Sequence, residues 1–160
     1  MLYPQLLHAD FAKLPRVLRQ FHSTPGGGRA AGTVSVRHSN ALLARLCGFP
    51  PAGENMPIRL EVIAAEDREI WIRHFGDVVL KSVQTLESNL LIEAFGPVRC
   101  VFRTLADEAG MRFEAQQTRL WIIPLPLRVR ATARGTGESW QFEVVVSHVG
   151  SYAGVMAPLS

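Results

Sequence analysis

The sequence predicts an α+β fold: a strongly curved antiparallel β-sheet, a half-barrel or open barrel of about eight or nine strands, with an N-terminal helix on its concave face. Three observations carry that expectation. In Leu120–Gly150, Leu127, Val129, Ala131 and Ala133 alternate with Arg128, Arg130, Thr132 and Arg134. After Gly135-Thr136-Gly137, Trp140, Phe142, Val144, Val146 and His148 alternate with Gln141, Glu143 and Ser147. Period-two alternation on both sides of a Gly turn is an antiparallel hairpin with one buried and one wet face. The second observation is a succession of similar segments from Ile58 onward, separated by short polar or Gly turns. The third is an apolar stripe at helical spacing near the N-terminus, the natural partner for the sheet's buried face.

Composition narrows the class. A chain of 160 residues suits a single domain, 1–160, that buries roughly 70% of its unfolded surface without staples. Hydrophobic residues make up 48% against 19% charged, which favours a packed globule over disorder. The formal charge is +3, from fifteen Arg and two Lys balanced against the acidic residues. The Arg fall mostly at alternate strand positions, as on a solvated sheet face, and form no dense basic stripe; a nucleic-acid partner is not expected. Cys47 and Cys100 belong to no CxxC pair and are expected to be free thiols. The N-terminus MLYPQLLHADFAKL has no basic region followed by an unbroken apolar run, and no apolar run approaches the ~20 residues a membrane helix needs. The expectation is a cytoplasmic protein with no membrane span.

Taken in order, the chain opens with a helix over about residues 4–21. Leu7, Phe11, Leu14, Leu18 and Phe21 form one stripe. Pro15 predicts a kink, or two short helices meeting at Leu14-Pro15, because a mid-helix Pro loses a hydrogen bond and clashes one turn back. Such a stripe can dock on a membrane or a partner, but packing on the domain's own sheet is the simpler fate. Residues 23–32, STPGGGRAAG, read as a flexible loop; the glycines lack the GK[ST] ending of a phosphate loop. The β-rich body spans 33–160. Thr33–His38 is a short strand, and Ser39-Asn40 caps a brief helix, Ala41–Cys47, with Leu42, Leu43 and Leu46 expected inward. Phe49-Pro50-Pro51-Ala52-Gly53-Glu54 is a rigid turn. Strands follow at Ile58–Ala64, Ile70–Phe75, Val78–Leu86, Leu90–Phe95, Val98–Arg103 and Met111–Gln116, ahead of the hairpin.

Several short motifs now converge. They are LYPQLL with F..LP..LR.FH at the N-terminus, then GFPPAGENMPI, W-x-R-x-F-G at Trp71–Gly76, FGPVR at Phe95–Arg99 and IPLPL at Ile123–Leu127, with Tyr152-Ala153-Gly154 as a Y-x-G close. In this order they resemble the bacterial family catalogued as domain of unknown function 4166, over nearly the whole chain from Leu2 to about Leu159. Relatives look like stand-alone domains or tails fused to nicotinamide-dependent oxidoreductase or epimerase-like domains. The resemblance implies an accessory or small-molecule context and transfers no catalytic residue.

Candidate chemistry is sparse. The five His (His8, His22, His38, His74, His148) show no HxxxH or HxH spacing, so no metal site is expected. His148 falls on the apolar phase of its strand, and His74 shares a phase with Ile70 and Ile72. With Asp77, these two are the candidates for acid/base catalysis. Arg73 between Trp71 and Phe75 reads as a cation–π stack or an anion clamp in a cavity. Glu61, Glu93 and Glu143 sit mid-strand; alternation places Glu61 and Glu143 outward, beside the Arg-rich neighbours. No nucleotide fingerprint, G-x-S-x-G elbow or cofactor motif is present. What stands out is an aromatic and aliphatic excess on the inward phase: Phe102, Phe113, Trp140, Phe142 and the Trp121-Ile122-Ile123 run. Trp71, Arg73, Phe75, Phe102, Phe113, Trp121, Trp140 and Phe142 are the expected ligand-binding residues. One modest helix underfills a concave face of this size, so the leading expectation is a non-catalytic binding domain for an apolar or amphipathic, lipid-like molecule, with no cofactor. The alternatives are an enzyme using His74 or His148, and an accessory module for an oxidoreductase partner.

Overall fold

The computed structural model describes every residue, Met1–Ser160. Its strands are β1 (Arg29–His38), β2 (Gly53–Ala64), β3 (Arg68–Phe75), β4 (Val78–Glu87), β5 (Leu90–Phe95), β6 (Val98–Ala106), β7 (Gly110–Leu120), β8 (Ile123–Pro124), β9 (Val129–Thr136), β10 (Ser139–Val146) and β11 (Gly150–Pro158). All pairings are antiparallel. The sheet runs β6-β5-β4-β3-β2-β1-β11-β10-β9-β7, and a further β6–β7 pairing joins its ends. The sheet is therefore a closed ten-stranded barrel, with the two-residue β8 appended to β7. This corrects the expected half-barrel of eight or nine strands; the α+β class stands.

Closure is made by the seam between the first and last strands. In it Gly32 faces Met156 and Val34 faces Gly154. A Cβ on Gly32 would strike the Val155 carbonyl, and one on Gly154 would strike the Thr33 carbonyl. Glycine is what lets the two strongly coiled strands come this close. For the same reason the expected loop over 23–32 is shorter than the Gly count suggests. Arg29–Gly32 already belong to β1, and Ala30 is fully buried.

Because successive strands are antiparallel, their connections alternate between two ends of the barrel. The N-terminal segment closes one end. It is α1 (Leu2–Leu7), a 3-10 turn (His8–Lys13) and α2 (Arg16–His22), broken at Leu14-Pro15 as Pro15 requires. Leu7, Leu14, Leu18 and Phe21 of the stripe are buried, joined by Leu2 and Tyr3. The carboxylate of buried Glu69 accepts the N–H of Leu2, fixing the start of α1 to the barrel wall. At the other, open end lie α3 (Ala41–Leu46), the β3–β4 and β5–β6 turns, the β7–β8 tip, the Leu125–Arg128 segment and the β10–β11 turn. The Asn40 side chain caps α3 by accepting the Leu43 N–H at 3.0 Å. His38 Nε2 lies 2.7 Å from the Pro50 carbonyl, pinning the chain that returns from α3. Only Ala44 of α3 is buried; Leu42 and Leu46 face solvent, because the short helix stands clear of the wall and touches it through its smallest side chain.

The alternation in the opening hairpin holds through its strands. Val129, Ala131, Ala133, Trp140, Phe142, Val144 and Val146 face the interior. Charged side chains cover the outside in register, with Arg103 opposite Glu114 and Glu114 opposite Arg130. This apolar-in, charged-out pattern is the inverse of a membrane-spanning barrel. No helix is long and apolar enough to cross a membrane. Gly32→Ala is expected to lower stability by about 1–3 kcal/mol through the forced separation of β1 and β11, measured by urea unfolding.

Candidate functional site

An eight-stranded barrel has an interior just wide enough for its own side chains or one small ligand; ten strands leave more room. The inward side chains here, with the helical plug beneath them, enclose a cavity of about 230 Å³. Tyr3, Leu18, Phe21 and His22 form its floor, and Cys47–Pro50, Phe95, Val98, Leu125 and Leu127 surround its mouth at the open end. The wall between is predominantly hydrophobic.

Into this wall three strands set one polar cluster. Arg73 on β3 donates from Nη1 to Ser82 Oγ at 2.8 Å and from Nη2 to Glu93 Oε1 at 2.9 Å. Ser82 Oγ donates in turn to Glu93 Oε1 at 2.6 Å. The guanidinium carbon also lies 5.0 Å from the Trp71 ring and 5.8 Å from the Phe95 ring. The expected cation–π stack holds with Trp71, whereas Phe95 stands where Phe75 was expected. Residues two apart on a strand point in parallel, so the long Arg side chain leans across the sheet to β4 and β5 instead. Phe75 is buried against Tyr152, 5.3 Å away, and does not line the cavity. Nearer the floor, Tyr3 Oη donates to Gln84 Oε1 at 2.9 Å. The Trp71 indole N–H donates to Glu69 Oε2 at 3.2 Å.

His22 is packed between the rings of Tyr3 (3.9 Å), Phe21 (5.4 Å) and Trp71 (5.9 Å). Burial alone pulls its pKa down to about 3, so it is a neutral imidazole. Tyr152 is enclosed among Phe49, Phe75 and Phe142, and burial raises its pKa. Neither side chain makes a hydrogen bond within the protein, and both line the cavity. Cys100 also lines it, with its thiol pushed up to about 11 by burial despite a hydrogen bond to Thr118. Both Cys are free, as expected.

The structure brings six of the eight expected ligand-binding residues together around this space: Trp71, Arg73, Phe102, Phe113, Trp140 and Phe142. Trp121 is elsewhere. It sits on the exposed β7–β8 tip with φ 52°, because the strand ends one residue before it and the inward phase is lost. His148 is likewise not on the inward phase; β10 ends at Val146 and His148 lies in the exposed turn beyond, with φ 66°. His74 projects from the outer phase of β3, opposite the phase of Trp71, Arg73 and Phe75, and Asp77 lies in the exposed β3–β4 turn. Neither His74 nor His148 lines the cavity, and His74 and Asp77 make no hydrogen bond or ion pair. Glu61 and Glu143 lie on outer phases, as alternation required, whereas Glu93 points in.

Sequence reasoning missed Tyr3, His22, Gln84 and Tyr152. A signal existed for two of them. Tyr3 lies four residues before Leu7 and His22 four after Leu18, both extensions of the apolar stripe.

Two outcomes follow. His22 keeps its stability contribution above its unfolded pKa of about 6.5 and loses it as pH falls toward the folded value of about 3, since only the unfolded chain is protonated between. The loss is about 2 kcal/mol by pH 5, and His22→Phe should flatten that part of a stability–pH curve measured by denaturant unfolding. Arg73→Leu should cost about 3–5 kcal/mol by stranding Glu93, with most of it regained in Arg73→Leu/Glu93→Leu, compared by urea unfolding.

Comparison with curated proteins and with solved structures gives no match. A family model matches residues 14–155, a range that takes in α2 and nearly the entire barrel. The motifs that carried the resemblance place Tyr3, His22, Phe49, Arg73, Phe95 and Tyr152 on the one cavity. The chain belongs to the family described as Domain of unknown function (DUF4166).

Proposed function

We propose that the protein is a non-catalytic binding domain that holds a neutral, largely apolar small molecule inside the barrel. The observation that carries this reading is the cavity itself: an apolar wall, His22 and Tyr152 without protein partners, and no uncompensated charge. A cavity of about 150 Å³ accepts benzene, so one of about 230 Å³ suits a ligand with roughly nine or ten enclosed non-hydrogen atoms, its remainder directed to the mouth. A carboxylate is disfavoured. Arg73 is already neutralised by Glu93, and a second buried anion would have no counter-charge.

Titratable groups do converge in the cavity, which on its own would suit an acid/base catalyst. Their chemistry supports holding a ligand over converting it. Burial drives Tyr3 far up, with Glu69 and Glu93 adding to the rise, and drives His22 far down. Glu93 is occupied by Arg73 and Ser82. An efficient general acid or base has a pKa near the working pH, and neither Tyr3 nor His22 does.

The test is titration with the neutral fluorescent probe N-phenyl-1-naphthylamine. Saturable one-to-one binding is expected, weakened about tenfold or more in Ala131→Phe, which fills the cavity from β9 while leaving the circular dichroism spectrum unchanged. Decan-1-ol should displace the probe about tenfold more effectively than decanoate. Absence of saturable binding, or equal binding by the filled variant, would remove this reading.

A further inference from the structure

The open end of the barrel carries apolar side chains that the cavity does not use. On α3, Leu42 and Leu46 are 67% and 73% exposed and lie four residues apart on one helix face. At the β7–β8 tip Trp121, Ile122 and Ile123 are 71%, 87% and 56% exposed. The tip is a braced structure: the Trp121 N–H donates to the Pro97 carbonyl at 2.9 Å, tying it to the β5–β6 turn, and the positive φ of Trp121 turns the chain so that its indole faces outward. Both apolar groups border the same opening. Cys47–Pro50 follow Leu46 directly along the mouth, and Leu125 and Leu127 follow Ile123 along it.

Charge is balanced at the plugged end and in basic excess at the open end. The acidic turns of the plugged end, Glu66-Asp67, Asp107-Glu108 and Glu138, lie among Lys13, Arg16, Arg68, Arg112 and Arg134, which offset them. The open end has only Glu54 and Asp77 as acids, against exposed Arg37, Arg45, Arg119 and Arg128, none of them in an ion pair. Arg45 sits on α3 itself, and Arg119 and Arg128 lie on either side of the tip. Exposed Trp, Ile and Leu within a set of unpaired Arg is the chemistry that seats in the headgroup region of an anionic bilayer.

We propose that the open end docks on an anionic lipid surface, with the α3 face and the β7–β8 tip inserted and the cavity mouth between them opening onto the acyl region. The barrel then exchanges its ligand directly with the membrane, without carrying an apolar molecule through water. The exchange rests on the ligand-binding reading above; the docking does not. The basic excess at the open end draws that end toward an anionic surface before contact.

The experiment is co-sedimentation with vesicles of phosphatidylcholine alone or of equal parts phosphatidylcholine and phosphatidylglycerol, read alongside tryptophan emission. Binding is expected only to the anionic vesicles and weakens at high salt. Trp140 is buried and Trp71 is inside the barrel, so a blue shift on vesicle addition reports Trp121 and disappears in Trp121→Phe while sedimentation persists. Leu46→Glu/Ile122→Glu should reduce vesicle partitioning about tenfold or more and leave N-phenyl-1-naphthylamine binding in vesicle-free buffer unchanged, which also shows that the variant is folded. The proposal is overturned if the wild type ignores anionic vesicles, or if the double variant partitions as well as the wild type. It is equally overturned if sedimentation velocity shows a dimer that the double variant dissociates, since a second copy then covers this face. Vesicle binding without probe binding would sink the ligand reading and leave docking standing; probe binding without vesicle binding would do the reverse.

Discussion

The pairing of β1 with β11 is the constraint on which everything else rests. It joins the ends of a meander whose other contacts are mostly between strands close in sequence, and it turns a curled sheet with two exposed edges into a ring with none. Once the ring is closed, each strand has an inside and an outside with different solvents. The Arg and Glu of the outer phase stay hydrated, and the aromatic and aliphatic inner phase is sealed from water except at the ends. The close approach at the seam depends on Gly32 and Gly154, where any side chain would meet a carbonyl of the neighbouring strand.

A closed ring of ten strands has an interior its own side chains do not fill, and the chain answers this differently at its two ends. The N-terminal segment fills one end, with Leu2, Tyr3, Leu18 and Phe21 buried and α1 held through Glu69. The other end stays open beneath α3 and the β7–β8 tip. Between them the wall contains charges that are satisfied by one another: Arg73, Ser82 and Glu93 form a closed hydrogen-bonded set, with aromatic rings on the guanidinium. Such a set gains little stability over an apolar replacement of the same volume. In the proposed ligand-binding reading its consequence is selectivity. The cavity presents neutral hydrogen-bonding groups at His22 and Tyr152 and no free charge, which suits an apolar molecule with one or two uncharged polar groups.

The same geometry joins the cavity to the surface. The segments that shape the mouth are the ones that carry exposed Leu, Ile and Trp outward, beside Arg side chains that form no ion pair. A ligand with poor water solubility needs a route between its source and its site. Under the docking proposed above, an opening bordered by apolar side chains and unpaired Arg is that route. In the proposed reading, binding and delivery use one end of one barrel.

Local pattern was enough to establish the strands of the opening hairpin, the inward placement of Trp71, Arg73, Phe102, Phe113, Trp140 and Phe142, the break at Pro15, and the cap at Asn40. Each depends on spacing within a few residues, where period two, period 3.6 and proline sterics act directly. Closure, strand number and the limits of β1 were decided only by the tertiary structure. They rest on pairing between residues more than a hundred positions apart, and glycines that look like a loop in sequence serve at close range as a seam. Where a strand ends was also beyond local pattern. Alternation carries His148 and Trp121 inward on paper, yet the ladder stops before each, so both side chains face water. His22 and Glu93 entered the site in the same way: a burial pattern shows which way a side chain points, and only the fold decides what stands opposite it.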